Sequence, residues 1–196
     1  MLAVLFALFN QLSGINAIIY YAPRIFELTG LGKSSALLSS AGVGFINLVF
    51  TVLAINFIDK LGRKVLMHVG TFGLIFTLGM VSLSFYTSIG INAVPIYLFL
   101  YIAFFAFSQG AVIWVFISEI FPNDVRAFGQ SLGSFTHWFM AALIAFTFPA
   151  FTDSIGPGNT FLIFAIMMVL QWIFVWRVMP ETRGKSLEEL GKTMTK

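Results

Sequence analysis

The sequence predicts an all-α integral membrane protein with six transmembrane helices. Of its 196 residues, 59% are hydrophobic and only 10% are charged, and the mean hydropathy is +0.94, far from the composition of a soluble domain. The apolar residues are grouped into stretches of about 20 residues, the length that an α-helix needs to cross the hydrocarbon core. Because the period-two alternation of a membrane β-barrel is absent, the spans are expected to be helices.

Six stretches are long enough to cross a membrane, and short polar segments separate them. Their predicted limits are 2–22, 35–58, 65–86, 94–118, 128–151 and 159–179. The polar separators are 23–34, 59–64, 87–92, 119–127 and 152–158. Residues 1–179 thus form the predicted transmembrane bundle. Residues 180–196 are interpreted as a cytoplasmic tail, either a short helix or cap with Glu188 and Glu189 near its amphipathic start, or a loose segment.

The basic residues predict that both termini are cytoplasmic. Six spans place the two termini and the second and fourth loops on one side of the membrane. That side would hold nine of the eleven Lys and Arg residues, which are Lys60, Arg63, Lys64, Arg126, Arg177, Arg183, Lys185, Lys192 and Lys196. Only Arg24 and Lys33 lie on the other side. No signal-peptide pattern follows Met1, and we expect the chain to be cut from a longer protein.

Several function classes are disfavoured by what the sequence lacks. It has no cysteine, hence no disulfide framework, thiolate nucleophile or cysteine metal site. It has no phosphate-cradling loop of an ATP-driven pump and no selectivity-filter run of a channel. Its two histidines, His68 and His137, are distant in sequence, so a metal site or a hydrolytic centre is not expected. No cofactor and no nucleic-acid partner is predicted.

The segment from Asn10 to Tyr21 concentrates polar groups inside the first apolar run. Two amides, Gln11 and Asn16, lie close to the flexible Gly14. An unpaired polar group in lipid costs several kcal/mol, roughly, so these side chains should face a wet cavity or a partner helix. One interpretation is helix–helix packing; the other is a helix that breaks at a substrate site. An amide carries donors and an acceptor, as binding to a neutral polyol requires.

Four motifs resemble those of the sugar porters of the major facilitator superfamily. Residues 10–21 resemble the seventh helix of that family, and residues 59–64 resemble its loop between the second and third helices of each half. Residues 118–126, with Ser-Glu-Ile-Phe-Pro and Arg126, resemble the motif after the tenth helix. Residues 180–189 resemble the C-terminal signature. All four occur in the family's order and at its spacing.

The resemblance implies the C-terminal six-helix half of a twelve-helix transporter, built as two inverted three-helix repeats. It further implies a non-enzymatic function, the movement of a hexose or pentose by alternating access, as a symporter or a uniporter. Membrane lipid and an N-terminal six-helix half, or a second copy of the chain, are the implied partners. The alternative is a non-transporting fragment or packing module that needs the missing half.

The resemblance also implies a sugar site whose residues can be carried over position by position. The matching residues are Asn10, Gln11, Asn16, Asn47, Trp114, His137 and Trp138. An indole face packs well on pyranose C–H bonds, which is the role implied for Trp114. The alternatives are an interhelical hydrogen bond for Asn47, an interfacial anchor for Trp114 and a packing role for His137. In place of the family's Gly-Pro-rich turn, residues 108–110 read Ser-Gln-Gly.

A second implied set consists of the charged residues Asp59, Arg63, Glu119 and Arg126. By resemblance they form a latch in which loop arginines pair with acidic helix ends while the inside gate is shut. Ion pairs that form in one state and break in the other bias a two-state equilibrium. The alternative is simple flanking charge, which explains Glu119 poorly because acidic residues contribute little to orientation.

Overall fold

The structure, a computed structural model, describes residues 1–185, and every regular element in this range is helical. The helices are α1 (Leu2–Leu12), α2 (Ile15–Tyr20), α3 (Ala22–Leu28), α4 (Lys33–Leu61), α5 (Arg63–Thr87), α6 (Val94–Phe105), α7 (Ala111–Glu119) and α8 (Arg126–Arg177). A π-helical turn at Ala106–Gly110 joins α6 to α7, and 3-10 turns lie at Ile91–Ala93 and Asn123–Val125. The tail helix expected around Glu188 and Glu189 lies outside the described residues.

Five helical segments of the described chain are long and apolar enough to cross a membrane. They are Leu2–Tyr20, Lys33–Leu61, Arg63–Thr87, Ile91–Glu119 and Asn123–Arg177. The last has 55 residues, which a straight helix would extend over about 80 Å, far more than a hydrocarbon core of about 30 Å. The fifth predicted span, 128–151, lies within this segment, and so does the sixth, 159–179, except for its last two residues.

A break at Gly156 divides α8 into two antiparallel parts, α8a (residues 126–155) and α8b (residues 157–177). Gly156 has φ 81° and ψ 159°, a conformation that side chains disfavour, and Pro157 begins the next segment without needing a donor. The ring of Phe148 contacts those of Phe161 and Phe164 at 6.5 and 6.4 Å, so the chain doubles back. The predicted polar separator 152–158 therefore shrinks to a sharp turn, because residues 152–155 remain helical.

The first predicted span, 2–22, is broken at Gly14, as the sequence indicated. Gly14 adopts φ 83°, and a Cβ built on it would lie 2.6 Å from the ring of Phe164. Both the backbone conformation and the available space therefore require glycine. The predicted separator 23–34 is partly helical, because α3 runs from Ala22 to Leu28 with Pro23 in its first turn, where the missing N–H is not needed.

Buried polar residues separate two apolar cores. From Phe6 in α1 the chain passes out of one core, through Asn10 and Gln11, to the other core at Ile15, the first residue of α2. The π-turn and α8b pass between the same two cores in the reverse chain order, with Gln109 and Gln171 between them. A membrane protein has little reason to bury four amides in one layer unless they have partners or a function there.

Two glycines of α5 bring this helix against the end of α6 and the π-turn. A Cβ on Gly70 would lie 1.7 Å from Oγ and 2.2 Å from Cβ of Ser108, and one on Gly73 would lie 2.3 Å from the ring of Phe104. We expect Gly70→Ala to destabilise the bundle by about 1–3 kcal/mol through overpacking, measured by thermal unfolding in detergent. Gly79→Ala is the matched control in the same helix, since no atom lies within 4 Å of its added Cβ. Equal melting of both variants would contradict the predicted close approach.

Candidate functional site

A cavity of about 300 Å³ lies among α1, α2, α4, α7 and α8a. Its lining includes all seven residues that the resemblance assigned to sugar contact, namely Asn10, Gln11, Asn16, Asn47, Trp114, His137 and Trp138. Two other cavities of about 270 Å³ are lined almost wholly by apolar side chains and offer few partners to a hydroxyl group. Side chains from positions up to 128 residues apart thus share one polar cavity.

Three amides and a histidine form a connected group on one wall of the cavity. Asn16 donates from Nδ2 to Oε1 of Gln11 at 2.6 Å, and Gln11 donates from Nε2 to Oδ1 of Asn10 at 3.1 Å. The same Gln11 nitrogen lies 3.1 Å from both ring nitrogens of His137. Gln11 is therefore the centre of the group, and each neighbour constrains its orientation.

The break at Gly14 is what brings Asn16 back to Gln11, and Ser13 supports it. The Ser13 hydroxyl donates to the carbonyl of Asn10 at 2.6 Å and accepts the backbone N–H of Ile15 at 3.3 Å. The fully buried Tyr101 donates from its hydroxyl to the carbonyl of Ser13 at 2.9 Å. These bonds satisfy backbone groups that the helix break leaves without partners. Tyr101 was not predicted, since a tyrosine in an apolar run carries no signal of this contact.

Two indoles flank His137 at the edge of the cavity. The ring of Trp114 lies 4.8 Å from that of His137, and the ring of Trp138 meets it edge-on at 5.1 Å. Trp114 and Trp138 remain 43% and 59% exposed, whereas His137 is buried. Asn47 contributes to the lining from α4, and within residues 1–185 its side chain makes no hydrogen bond that would explain it as a packing residue. Exposed aromatic faces beside amide side chains suit a ligand that has both apolar faces and polar groups.

A charged network lies at one end of the bundle, and we call it the charged end: Asp59, Arg63, Glu119, Glu181 and Thr182. The Arg63 side chain is only 8% exposed and binds Glu119 at two points, Nη2 to Oε1 at 2.6 Å and Nε to Oε2 at 3.1 Å. Its Nη1 lies 2.9 Å from Oδ1 of Asp59. Thr182 donates to Oε2 of Glu119 at 2.6 Å, so the start of the tail joins the pair. Two-point pairing of this kind fixes both the distance and the angle between the start of α5, which carries Arg63, and the end of α7, which carries Glu119.

Glu181 caps the first turn of α5. Its carboxylate accepts the backbone N–H groups of Arg63 and Lys64, each at 3.0 Å, and two further N–H groups from Thr182 and Arg183. Burial alone would raise the pKa of Glu181, but these four donors outweigh it and lower the pKa below its ordinary value of 4.5. The contact therefore stabilises the fold at neutral pH and loses that effect as the pH falls through the lowered pKa. The sequence motif contained Glu181, but nothing local indicated its partner.

Arg126 lies outside this network. Its Nε donates to the carbonyl of Phe121 at 3.4 Å, and its buried Nη2 has no partner in the described structure. Within residues 1–185 the ion pairs of the predicted latch involve Arg63, Asp59 and Glu119, and Arg126 pairs with none of the carboxylates. The structure thus brings three of the four predicted latch residues together.

The comparison with protein families matches residues 1–193 to the model described as "Sugar (and other) transporter". This chain belongs to that family. Its apolar helices agree with membership of a family of integral membrane transporters. Membership of the sugar-porter family, inferred from four short motifs, is therefore confirmed over residues 1–193, and the assignment to the C-terminal half stays a prediction.

Individual relatives agree with this assignment. The chain is 39% identical over 196 residues to the arabinose-proton symporter of Bacillus subtilis, covering 100% of this chain and 42% of the relative. It is 41% identical over 198 residues to the D-xylose-proton symporter of Escherichia coli, covering 96% of this chain and 40% of the relative. The chain thus spans about two fifths of the length of these relatives.

The fold is also similar to a solved structure. The structure of the proton:xylose symporter XylE bound to 6-bromo-6-deoxy-D-glucose superimposes with a TM-score of 0.89 and 37% sequence identity. The match covers 98% of this chain and 42% of that one. The helical architecture is therefore that of the major facilitator superfamily.

Proposed function

We propose that this chain is one six-helix bundle of a monosaccharide transporter and that the sugar binds in the 300 Å³ cavity. The observation that carries the proposal is the convergence of the seven predicted contact residues on that cavity. Amides match the paired donor and acceptor character of sugar hydroxyls, and Trp114 and Trp138 supply faces for the C–H bonds of a sugar ring. The relatives named above are symporters of the pentoses arabinose and xylose, and the XylE structure holds a derivative of the hexose glucose, which supports a pentose or hexose substrate.

We further propose that six segments cross the membrane, α8a and α8b each crossing once. An even number of crossings places both termini on one side, and the charged end would face the cytoplasm with most of the basic residues. The segments before and after residue 90 would form the two inverted repeats. The order of the four motifs predicts that this bundle is the C-terminal one of the two in the transporter.

The proposal is tested by uptake of labelled monosaccharides into liposomes that contain this chain joined to a complementary bundle of a relative. Saturable, stereoselective uptake is the expected result. If the joined protein inserts and folds but shows no uptake and no sugar binding, the chain is a packing module and the proposal fails.

The charged end is proposed as a latch that holds the cytoplasmic gate shut. Both carboxylate oxygens of Glu119 are engaged by Arg63, and Thr182 adds a third bond. Opening this end would separate α5 from α7 and break the pair, so the pair favours the closed state. The Arg63 side chain is nearly buried, hence the pair is shielded from the screening that weakens surface ion pairs.

We expect Glu119→Gln to shift the population toward the inward-open state by about tenfold, roughly 1–2 kcal/mol, without abolishing sugar binding. Labelling of cysteines introduced on the cytoplasmic side would measure the shift. Asp153→Asn is the matched control, since its pair with Arg24 at 2.8 Å lies at the opposite end and both side chains are more than half exposed. Equal labelling of Glu119→Gln and parent would reduce Glu119 to an ordinary helix-end charge.

A further inference from the structure

Gln109 and Gln171 form a fully buried amide pair outside the cavity lining. Gln109, in the π-turn, donates from Nε2 to Oε1 of Gln171 on α8b at 2.8 Å, and the same nitrogen lies 3.5 Å from Sδ of Met168. The remaining amide atoms, Oε1 of Gln109 and Nε2 of Gln171, have no partner in the described structure. Burying amides with half of their hydrogen bonds unmade is costly, so packing alone explains the pair poorly.

The pair is connected to the cavity through one backbone carbonyl. Asn10 donates from Nδ2 to the carbonyl oxygen of Gln109 at 3.3 Å. Oδ1 of Asn10 in turn accepts from Gln11, which contacts Asn16 and His137. The side chain of Gln109 is thus bonded to α8b, and its backbone carbonyl is bonded to Asn10. Asn10 in turn is bonded to Gln11, the amide at the centre of the cavity wall.

The π-turn gives the Gln109 carbonyl this position. A π-turn inserts one extra residue into a helix and disturbs the regular backbone ladder, which lets a carbonyl point toward a side-chain donor. Gly70 of α5 packs against Ser108 on one side of the turn. Toward α8b, the side chain of Gln109 is the only group of the turn that forms a hydrogen bond to that helix within residues 1–185. Loss of that tie would leave the turn free to relax.

We propose that Gln109 and Gln171 are positioning residues of the sugar site. Their bond holds the carbonyl of residue 109 where Asn10 binds it, and Asn10 then orients Gln11 toward the sugar. Neither glutamine touches the sugar. This inference rests on the proposed sugar-binding function of the cavity.

The first test separates positioning from stability with methionine, which is similar in volume to glutamine and apolar. Gln171→Met leaves Nε2 of Gln109 with only its weak contact to Sδ of Met168, so both the melting temperature and the sugar affinity of the joined transporter should fall, the affinity about tenfold. Removing both amides in Gln109→Met/Gln171→Met should restore the melting temperature, since no buried donor is orphaned, while the affinity stays low. Recovery of affinity together with stability would overturn the proposal and leave a packing pair.

The second test asks whether the effect passes through Asn10. In an Asn10→Ala background, Gln171→Met should cause no further loss of affinity, because the contact that it disturbs is already absent. An additive tenfold loss would show that the pair acts by another route and would contradict the inference.

A readout without sugar keeps the two proposals distinguishable. With asparagine-selective ¹⁵N labelling, side-chain amide hydrogen exchange at Asn10 should accelerate in Gln171→Met. Exchange at Asn56, which donates to the carbonyl of Val52 in its own helix at 3.0 Å, should not change. If the parent binds no sugar, the proposed function fails while this readout still decides the positioning. If Gln11→Ala weakens binding but Gln171→Met alters neither affinity nor exchange, the positioning inference alone fails.

Discussion

Replacing Gln11 with alanine is expected to weaken sugar binding about ten- to hundredfold, or roughly 1–3 kcal/mol. Gln11 is the one residue of the cavity wall that contacts Asn10, Asn16 and His137 at once. Its loss removes the hydrogen-bonding partner of a sugar hydroxyl, and in a mostly enclosed site water cannot take the place of that partner. The loss also frees three neighbouring side chains to reorient. Equilibrium binding to the joined transporter, followed by the fluorescence of Trp114, measures the effect.

A matched control distinguishes the loss of a site from the loss of an amide. Asn56→Ala removes an exposed amide on α4 whose hydrogen bond, among the described residues, is to its own helix, and the affinity of this variant should equal that of the parent. Unchanged sugar binding by Gln11→Ala and Asn16→Ala combined would exclude this wall as the binding site.

The helices and the cavity lining were predictable because their signals are local or come as short motifs. Long apolar runs predicted the helical spans. The amides beside Gly14 predicted a broken first helix, since a glycine among polar groups is unusual in an apolar span. The grouping of Asn47, Trp114 and His137 came from family resemblance, because no physical signal in one sequence shows that distant positions share a cavity.

The contacts that the sequence did not reveal join elements far apart in the chain. Glu181 caps α5 from 118 residues away, and Gln109 pairs with Gln171 across 62 residues. A single glutamine in an apolar span, such as Gln171, was a signal that could have been used. The π-turn had no sequence marker, since the proline expected there by resemblance is absent, and the helix deviates at residues 106–110 without it.

Under the proposed function, the cavity supplies only part of the sugar site. It is bounded by α1, α2, α4, α7 and α8a, and Trp114 and Trp138 keep large exposed faces beside it. Asn16 and Asn47, which also line the cavity, are only partly buried. Since the chain spans about two fifths of the relatives named above, a second bundle would supply the facing wall. Exposed amides next to lipid or bulk water cannot enclose a sugar.

Purified alone in liposomes, the chain is therefore expected to take up sugar no faster than empty vesicles. Alternating access moves two bundles around a site between them, and one bundle has nothing to move against. Uptake should appear when an N-terminal bundle of a relative is fused before Met1. Fusion of a C-terminal bundle after Lys196 is the matched control and should not restore uptake, because the order of the motifs predicts that this chain is itself the C-terminal bundle.

A homodimer is the one arrangement that would make the chain sufficient. A two-fold axis would set the cavity of one copy against that of the other, so Gln11, Asn16 and Trp114 would meet their own counterparts. Two identical polar walls present the same donors and acceptors to both faces of a sugar, whereas a sugar ring has different groups on its two faces. We expect this mismatch to prevent a closed site. Saturable, stereoselective uptake by the 196-residue chain alone would overturn the prediction and make the homodimer the transporting unit.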